Sequence, residues 1–160
     1  MTFSRLTALL LVLSACNLAL MVPGGLVETR VFPDYSVAVL VAFNIFLTVL
    51  GLGSLILAWQ VWRNGASGPL APAAGLAFAA VYLADLLVIF PVSPTPMPPL
   101  LTSLETIGTV LGILLCGVGL RAMSSGDQPA AEQSRLSVGT LILLAGVAAG
   151  IVIFATLAAK

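Results

Sequence analysis

The sequence predicts an all-α, polytopic integral membrane protein: a bundle of five transmembrane helices in one domain over residues 1–160. Two observations support this fold class. First, 60% of the residues are hydrophobic and only 8% are charged, whereas a soluble domain carries about 25% charged residues. Second, the apolar residues form five runs, each near or above the roughly 20 residues that cross a bilayer as a helix. These predicted spans are 6–22, 36–62, 72–90, 100–122 and 136–159.

The first run has two interpretations. Arg5, a leucine-rich stretch and the segment 13–16 (Leu-Ser-Ala-Cys) resemble a bacterial lipoprotein signal, in which residues 1–15 are removed and Cys16 is lipidated. That event would leave four spanning helices. However, the apolar run continues through 18–22, where a lipoprotein normally turns polar, and this continuation favours a retained helix.

Prolines separate the remaining runs, and basic residues set their orientation. Nine of the ten prolines lie between runs, and Pro72 lies in a first helical turn, where its missing N–H costs nothing.

Because cytoplasmic loops are enriched in Lys and Arg, we expect the N-terminus inside and the C-terminus outside a bacterial-type cytoplasmic (inner) membrane. That orientation puts four basic residues inside and two outside, namely Arg5, Arg63, Arg121 and Arg135 against Arg30 and Lys160.

The composition excludes several classes of function. The chain has no histidine, which removes the usual haem ligand, most zinc sites and the nucleophile systems that depend on histidine. Its two cysteines, Cys16 and Cys116, form no CxxC motif. The net charge is zero, without a Lys/Arg cluster, so nucleic acid is not an expected partner. We therefore expect no catalytic residues, no metal and no cofactor.

Asp85 and Glu105 are the most informative residues, because they lie inside the third and fourth runs. A charge at the bilayer centre costs about 2.5–3.5 kcal/mol on insertion scales, so such an acid needs a partner, a proton or a function. Each acid lies about 7 Å from the same end of the bundle, at 1.5 Å per residue, and polar residues of the first two runs share that half. We expect both acids to face the interior, close to each other or to Arg30. The predicted ligand-binding or proton-handling residues are Asp85, Glu105, Arg30, Asn17, Asn44 and Tyr82.

Glycine spacing predicts how the helices pack. Gly108 and Gly112 follow Glu105 at steps of three and four, so all three share one helical face, and a small-xxx-small pair lets a second helix approach closely. Gly146 and Gly150 give the fifth run a similar stripe, which we interpret as a structural face or an oligomer contact.

The favoured function is a membrane-embedded pocket that binds, or helps to move, a small or lipophilic molecule, because ligand sites commonly lie between the helices of a bundle. One alternative is an accessory subunit of a larger membrane complex, with the acids serving only helix packing. A second alternative is an acid/base membrane isomerase or a proton-coupled transporter. The expected partners are the lipid bilayer, a small-molecule or lipid ligand, and either a second copy of the chain or a larger complex.

Overall fold

The structure is a computed structural model that describes residues 3–65, 68–124 and 137–160. It contains α1 (Phe3–Leu20), α2 (Val37–Asn64), α3 (Leu70–Leu86), α4 (Pro99–Ser124) and α5 (Val138–Ala158). The predicted fold class is confirmed, since 76% of the described residues are helical and none of them lies in a strand.

Four of the five helices, namely α1, α2, α4 and α5, are long and apolar enough to cross a membrane. The remaining helix, α3, is equally apolar but has 17 residues, which span about 25 Å at 1.5 Å per residue. The chain therefore forms a membrane-compatible bundle in which one helix is shorter than the others.

Local sequence determines where α2 begins and ends and where α3 ends. Ser36 caps the start of α2 by accepting a hydrogen bond from the amide of Val39, and Gly65 ends the helix in the left-handed conformation, with φ of 75°. The end of α3 differs from the sequence prediction, because the helix stops at Leu86 although the apolar run continues to Phe90. Val88 has a positive φ of 56°, and a residue before proline, here Phe90, disfavours the helical conformation. Asp85 therefore lies in the last turn of α3 and not about 7 Å below its end.

Small residues bring α3 and α4 into backbone contact. A Cβ added at Gly75 would lie 2.5 Å from the backbone nitrogen of Cys116, and one at Gly112 would lie 2.7 Å from that of Ala79. Neither distance is possible for real side chains, so this close approach requires glycine. Gly112 therefore packs α4 against α3.

The fifth helix, α5, packs against α2 and against no other described helix. Gly146 and Gly150 do not form that contact, since an added Cβ at either position would meet no described atom within 4 Å. Their stripe faces away from the rest of the described chain.

The helix α1 contributes directly to the core. Thr7, Leu11 and Ser14 have no exposed surface, and all three precede Cys16, which is itself exposed. Removal of residues 1–15 would therefore delete part of the bundle interior.

Two loops and the C-terminus meet at one end of the bundle, called the site end below. The first loop (residues 21–36) and the second loop (residues 87–98) are joined by a hydrogen bond from the Ser93 hydroxyl to the Val31 carbonyl and one from the Val92 amide to the Tyr35 hydroxyl. Lys160 donates to the Tyr35 carbonyl at 2.6 Å. The two loops and Lys160 are thus joined by hydrogen bonds and together cover the site end.

The opposite end carries aromatic and basic residues. The guanidinium of Arg63 lies 5.5 Å from the ring centroid of Trp59, and that of Arg5 lies 5.9 Å from the ring of Trp62. Amphipathic rings of this kind are typical of a membrane–water interface.

Candidate functional site

Arg30 is the centre of a buried ion-pair network at the site end. Its Nη1 and Nη2 donate to the two carboxylate oxygens of Asp85 at 3.0 and 2.6 Å. Its Nε and Nη2 donate to Glu28 at 3.0 and 2.6 Å, and its backbone amide also donates to Glu28 at 2.9 Å. The guanidinium is therefore held by a carboxylate on either side, one from its own loop and one from α3.

Both partners keep Arg30 positively charged. Arg30 and Glu28 are each 5% exposed, and Asp85 is 8% exposed. Burial disfavours the charged guanidinium, but the hydrogen bonds and charges of Glu28 and Asp85 outweigh it and raise the pKa of Arg30 above its ordinary value. The network thus ties the first loop to the end of α3.

Glu105 lies beside this network without sharing its hydrogen bonds. Its Oε1 is 4.0 Å from Nη2 of Arg30, which is beyond hydrogen-bonding distance. Both hydrogens of Nη2 are already committed, because that nitrogen donates to Glu28 and to Asp85. The network therefore leaves Glu105 without a hydrogen bond from the nearest cation.

The second oxygen of Glu105 is an unsatisfied acceptor. Glu105 is only 3% exposed, and its Oε2 has no hydrogen-bond partner among the described residues. The carboxyl group of Asp85 is its neighbour, yet two carboxyl groups can hydrogen-bond only when one of them carries a proton. A buried oxygen in this state needs a proton or a donor from another molecule.

Tyr82 and Asn17 form the wall next to Glu105. The side-chain amide of Asn17 donates to the Leu104 carbonyl at 3.1 Å and to the Tyr82 hydroxyl at 3.4 Å. An added Cβ at Gly108 would collide with the Tyr82 ring and with the Asn17 amide. Gly108 is therefore the position that lets α1 and α3 close around this part of α4.

Asn44 lies on the other side of the site, where it binds α5. Its amide donates to the Thr156 hydroxyl at 3.1 Å, and both residues are buried. Thr156 thus satisfies Asn44, so Asn44 does not join the Arg30 network.

Two neighbouring cavities lie between the helices at this end. The first, called the polar cavity, has a volume of about 60 Å³ and is lined by Glu28, Asp85, Glu105, Tyr82 and Asn44 among apolar side chains. The second, called the apolar cavity, has about 110 Å³ and lies between α1, α2 and α5. They share five lining residues, Leu18, Met21, Pro23, Asn44 and Leu47. A cavity of either size can hold water or part of a small ligand.

The structure thus brings together most of the residues that the sequence singled out. Asp85 and Glu105 both face inward near Nη2 of Arg30, and Tyr82 and Asn44 line the same cavity. Asn17 contributes through its bond to Tyr82. The role of these residues in ligand binding or proton handling stays a prediction.

Sequence reasoning missed Glu28 and Thr156. Glu28 is a loop residue two positions from Arg30, and no periodicity indicates whether such a side chain turns inward. Thr156 lies on a helix that is apolar on every face, so its sequence shows no inward side. The short spacing of Glu28 and Arg30 was the one available signal for this pair.

A metal centre is not indicated by the part of the chain that the structure describes, since these residues contain no group of three or more His, Cys, Asp or Glu side chains suited to a metal ion.

Taken together, these features define a small helical membrane bundle with a buried acidic site at one end. The chain belongs to the family described as "Domain of unknown function (DUF8051)", whose model matches residues 3–136. The match covers α1 to α4, with the whole ion-pair network, and ends before α5. No curated protein and no solved structure matches the chain.

Proposed function

We propose that this protein binds a small lipophilic molecule within its helix bundle, with Glu105 as the polar contact. The observation that carries the proposal is the unsatisfied Oε2 of Glu105, a side chain that is 3% exposed and lines the polar cavity. Ligand sites in bundles combine apolar walls with a few polar groups that fix orientation, and the two cavities have this composition.

The contrast between Glu105 and the other carboxylates supports the proposal. Glu28 and Asp85 are both bound by Arg30 and have structural partners. A carboxyl group used only for helix packing would be expected to find a donor in the same way. Glu105 is as deeply buried as these structural acids, but its Oε2 accepts no hydrogen bond in the described structure, so a donor from outside the chain would satisfy it.

The proposal can be tested with two glycine variants of α2. Gly51 lines the apolar cavity, so Gly51→Leu would place a side chain in it, whereas Gly53 is exposed and meets no described atom within 4 Å. Mass spectrometry of organic extracts should find one compound in stoichiometric amount in wild type and Gly53→Leu, and less of it in Gly51→Leu. A protein without such a compound, or equal retention in both variants, would argue against binding.

The free face of α5 favours a second candidate, an accessory subunit. Gly146 and Gly150 have no close neighbour in the described chain, and small residues of this kind let another helix approach. Affinity purification from native membranes should then return a larger partner in fixed ratio. Repeated recovery of the chain alone, or only with copies of itself, would contradict this function.

The contact between Asp85 and Glu105 favours a third candidate, proton handling. Two adjacent carboxyl groups in a buried site can share a proton, as an acid/base enzyme or a proton-coupled transporter would require. Infrared difference spectra of wild type and Glu105→Gln should then show a protonated-carboxyl band that changes with turnover or transport. Its absence would exclude proton handling at this site.

We also propose that the site end faces outward across an inner membrane, with the N-terminus inside. The support is the distribution of basic residues, because Arg5 and Arg63 lie at the end opposite Arg30 and Lys160. In a variant without Cys16 and Cys116, a membrane-impermeant thiol reagent should label Asp34→Cys in intact cells but not Arg63→Cys. The reverse labelling pattern would invert the orientation.

A further inference from the structure

The two cavities lie end to end along α2. The polar cavity is lined by Leu40, Phe43, Asn44 and Leu47 of this helix, and the apolar cavity continues from Asn44 to Leu55. At 1.5 Å per residue, the segment from Asn44 to Leu55 covers about 16 Å. A molecule that fills both spaces is therefore elongated, with one end near Glu105 and the other between apolar side chains.

A groove on the lipid-facing side leads toward the apolar cavity. It lies between α2 and α5, has a volume of about 300 Å³ and is lined by Ile45, Val49, Val152 and other apolar residues. Thr48 lines both the groove and the apolar cavity. A ligand that arrives from the bilayer along this route needs a hydrocarbon chain, because the groove offers almost no polar partner.

The charge at the other end indicates the head group. Glu28, Asp85 and Glu105 supply three carboxyl groups to one guanidinium, that of Arg30, so a cationic head would reduce the excess of negative charge. Oε2 of Glu105 is an acceptor without a donor. An ammonium group has N–H donors and no acceptor, whereas a hydroxyl brings an acceptor that also needs a partner.

We propose that the ligand is a single-chain amphiphile with a primary ammonium head, which donates to Oε2 of Glu105 while its hydrocarbon chain occupies the apolar cavity. This inference rests on the proposed function and adds the chemical class of the ligand. The competing explanation is a proton shared by Glu105 and Asp85. In that case a cationic head group would bind no more tightly at this site than a neutral one.

The test compares two probes with the same chain, n-decylamine and n-decanol, by native mass spectrometry of the full-length protein. Glu105→Gln removes the charge but keeps the shape. Its matched control is Asp34→Asn, which removes an exposed carboxylate at the same end of the bundle. Gly51→Leu and Gly53→Leu are the pair that tests where the hydrocarbon chain of the probe lies.

In wild type, we expect one n-decylamine per chain and an affinity for n-decanol about ten- to a hundredfold lower, because hydrogen bonds to charged groups are the stronger ones. Glu105→Gln should abolish this preference and Asp34→Asn should retain it. Gly51→Leu should weaken both probes, and Gly53→Leu neither. Should Glu105→Gln fail to fold, Glu105→Asp serves instead, and it should keep the preference for the amine at reduced affinity.

The outcomes separate the ligand class from binding itself. Equal affinities for the two probes in wild type, or a preference for the amine that survives in Glu105→Gln, would overturn the ammonium assignment. If Gly51→Leu still weakened both probes, the proposed function would stand without that assignment. Failure of both probes to bind, or binding insensitive to Gly51→Leu, would overturn both.

Discussion

Replacing Arg30 with methionine should destabilise the protein far more than neutralising Glu105. Arg30 forms paired hydrogen bonds with Asp85 and with Glu28, all three being buried. Removing one partner of a buried ion pair costs about 3–5 kcal/mol, because the remaining charge is left uncompensated. Arg30→Met leaves two such carboxylates, so we expect a loss in the upper part of this range.

Glu105→Gln should cost less than about 1 kcal/mol, since a typical hydrogen bond contributes about that much and Oε2 of Glu105 has none to lose in the described structure. The assay is reversible unfolding in mixed detergent micelles with increasing sodium dodecyl sulfate, followed by circular dichroism. Arg63→Met is the matched control, because its exposed cation–π contact with Trp59 should contribute about 1 kcal/mol or less.

A double variant tests the cause of the loss. Adding Asp85→Asn to Arg30→Met removes one of the stranded charges, so part of the lost stability should return. If Arg30→Met costs no more than Arg63→Met, the ion-pair network does not hold the site end together. If Glu105→Gln costs as much as Arg30→Met, Glu105 is a structural residue and the proposed binding role fails.

Two further predictions concern helix packing. Gly108→Ala should lower the free energy of unfolding by about 1–3 kcal/mol through overpacking, since its Cβ would collide with Tyr82, whereas Gly117→Ala, which meets no described atom within 4 Å, should not destabilise; equal losses would contradict the packing of α4. Thr156→Val should leave Asn44 without its partner and cost about 1–3 kcal/mol, with faster hydrogen exchange in α5 than in α4; unchanged exchange in α5 would contradict this contact.

Sequence alone was sufficient for the class of fold and for the region of the site. The apolar runs identify the helices because a bilayer requires about 20 apolar residues for each spanning helix. Asp85 and Glu105 stand out because acids are rare at such positions. With Arg30 in the adjoining loop, the positions of the two acids along their helices predicted that they would lie close to each other or to Arg30.

The periodicity of apolar residues does not predict the path of the first loop, the end of α3 or the rotation of α5, and these determine the details of the site. The path of the first loop brings Glu28 inward, and a loop path depends on tertiary contacts such as the bond between Ser93 and Val31. The early end of α3 follows from a turn at Val88 within a run that stays apolar. The rotation of α5, which points Thr156 at Asn44, has no signal in a helix that is apolar on all sides.

Ligand binding beside Glu105 can be tested directly with an experimental density map of the protein purified from its native membrane. We expect density for an elongated molecule along α2, with its polar end about 3 Å from Oε2 of Glu105, a normal hydrogen-bond distance, and its hydrocarbon chain beside Gly51. A map in which Glu105 contacts only Asp85, and in which protein side chains fill the space between α1, α2 and α5, would contradict ligand binding at this site.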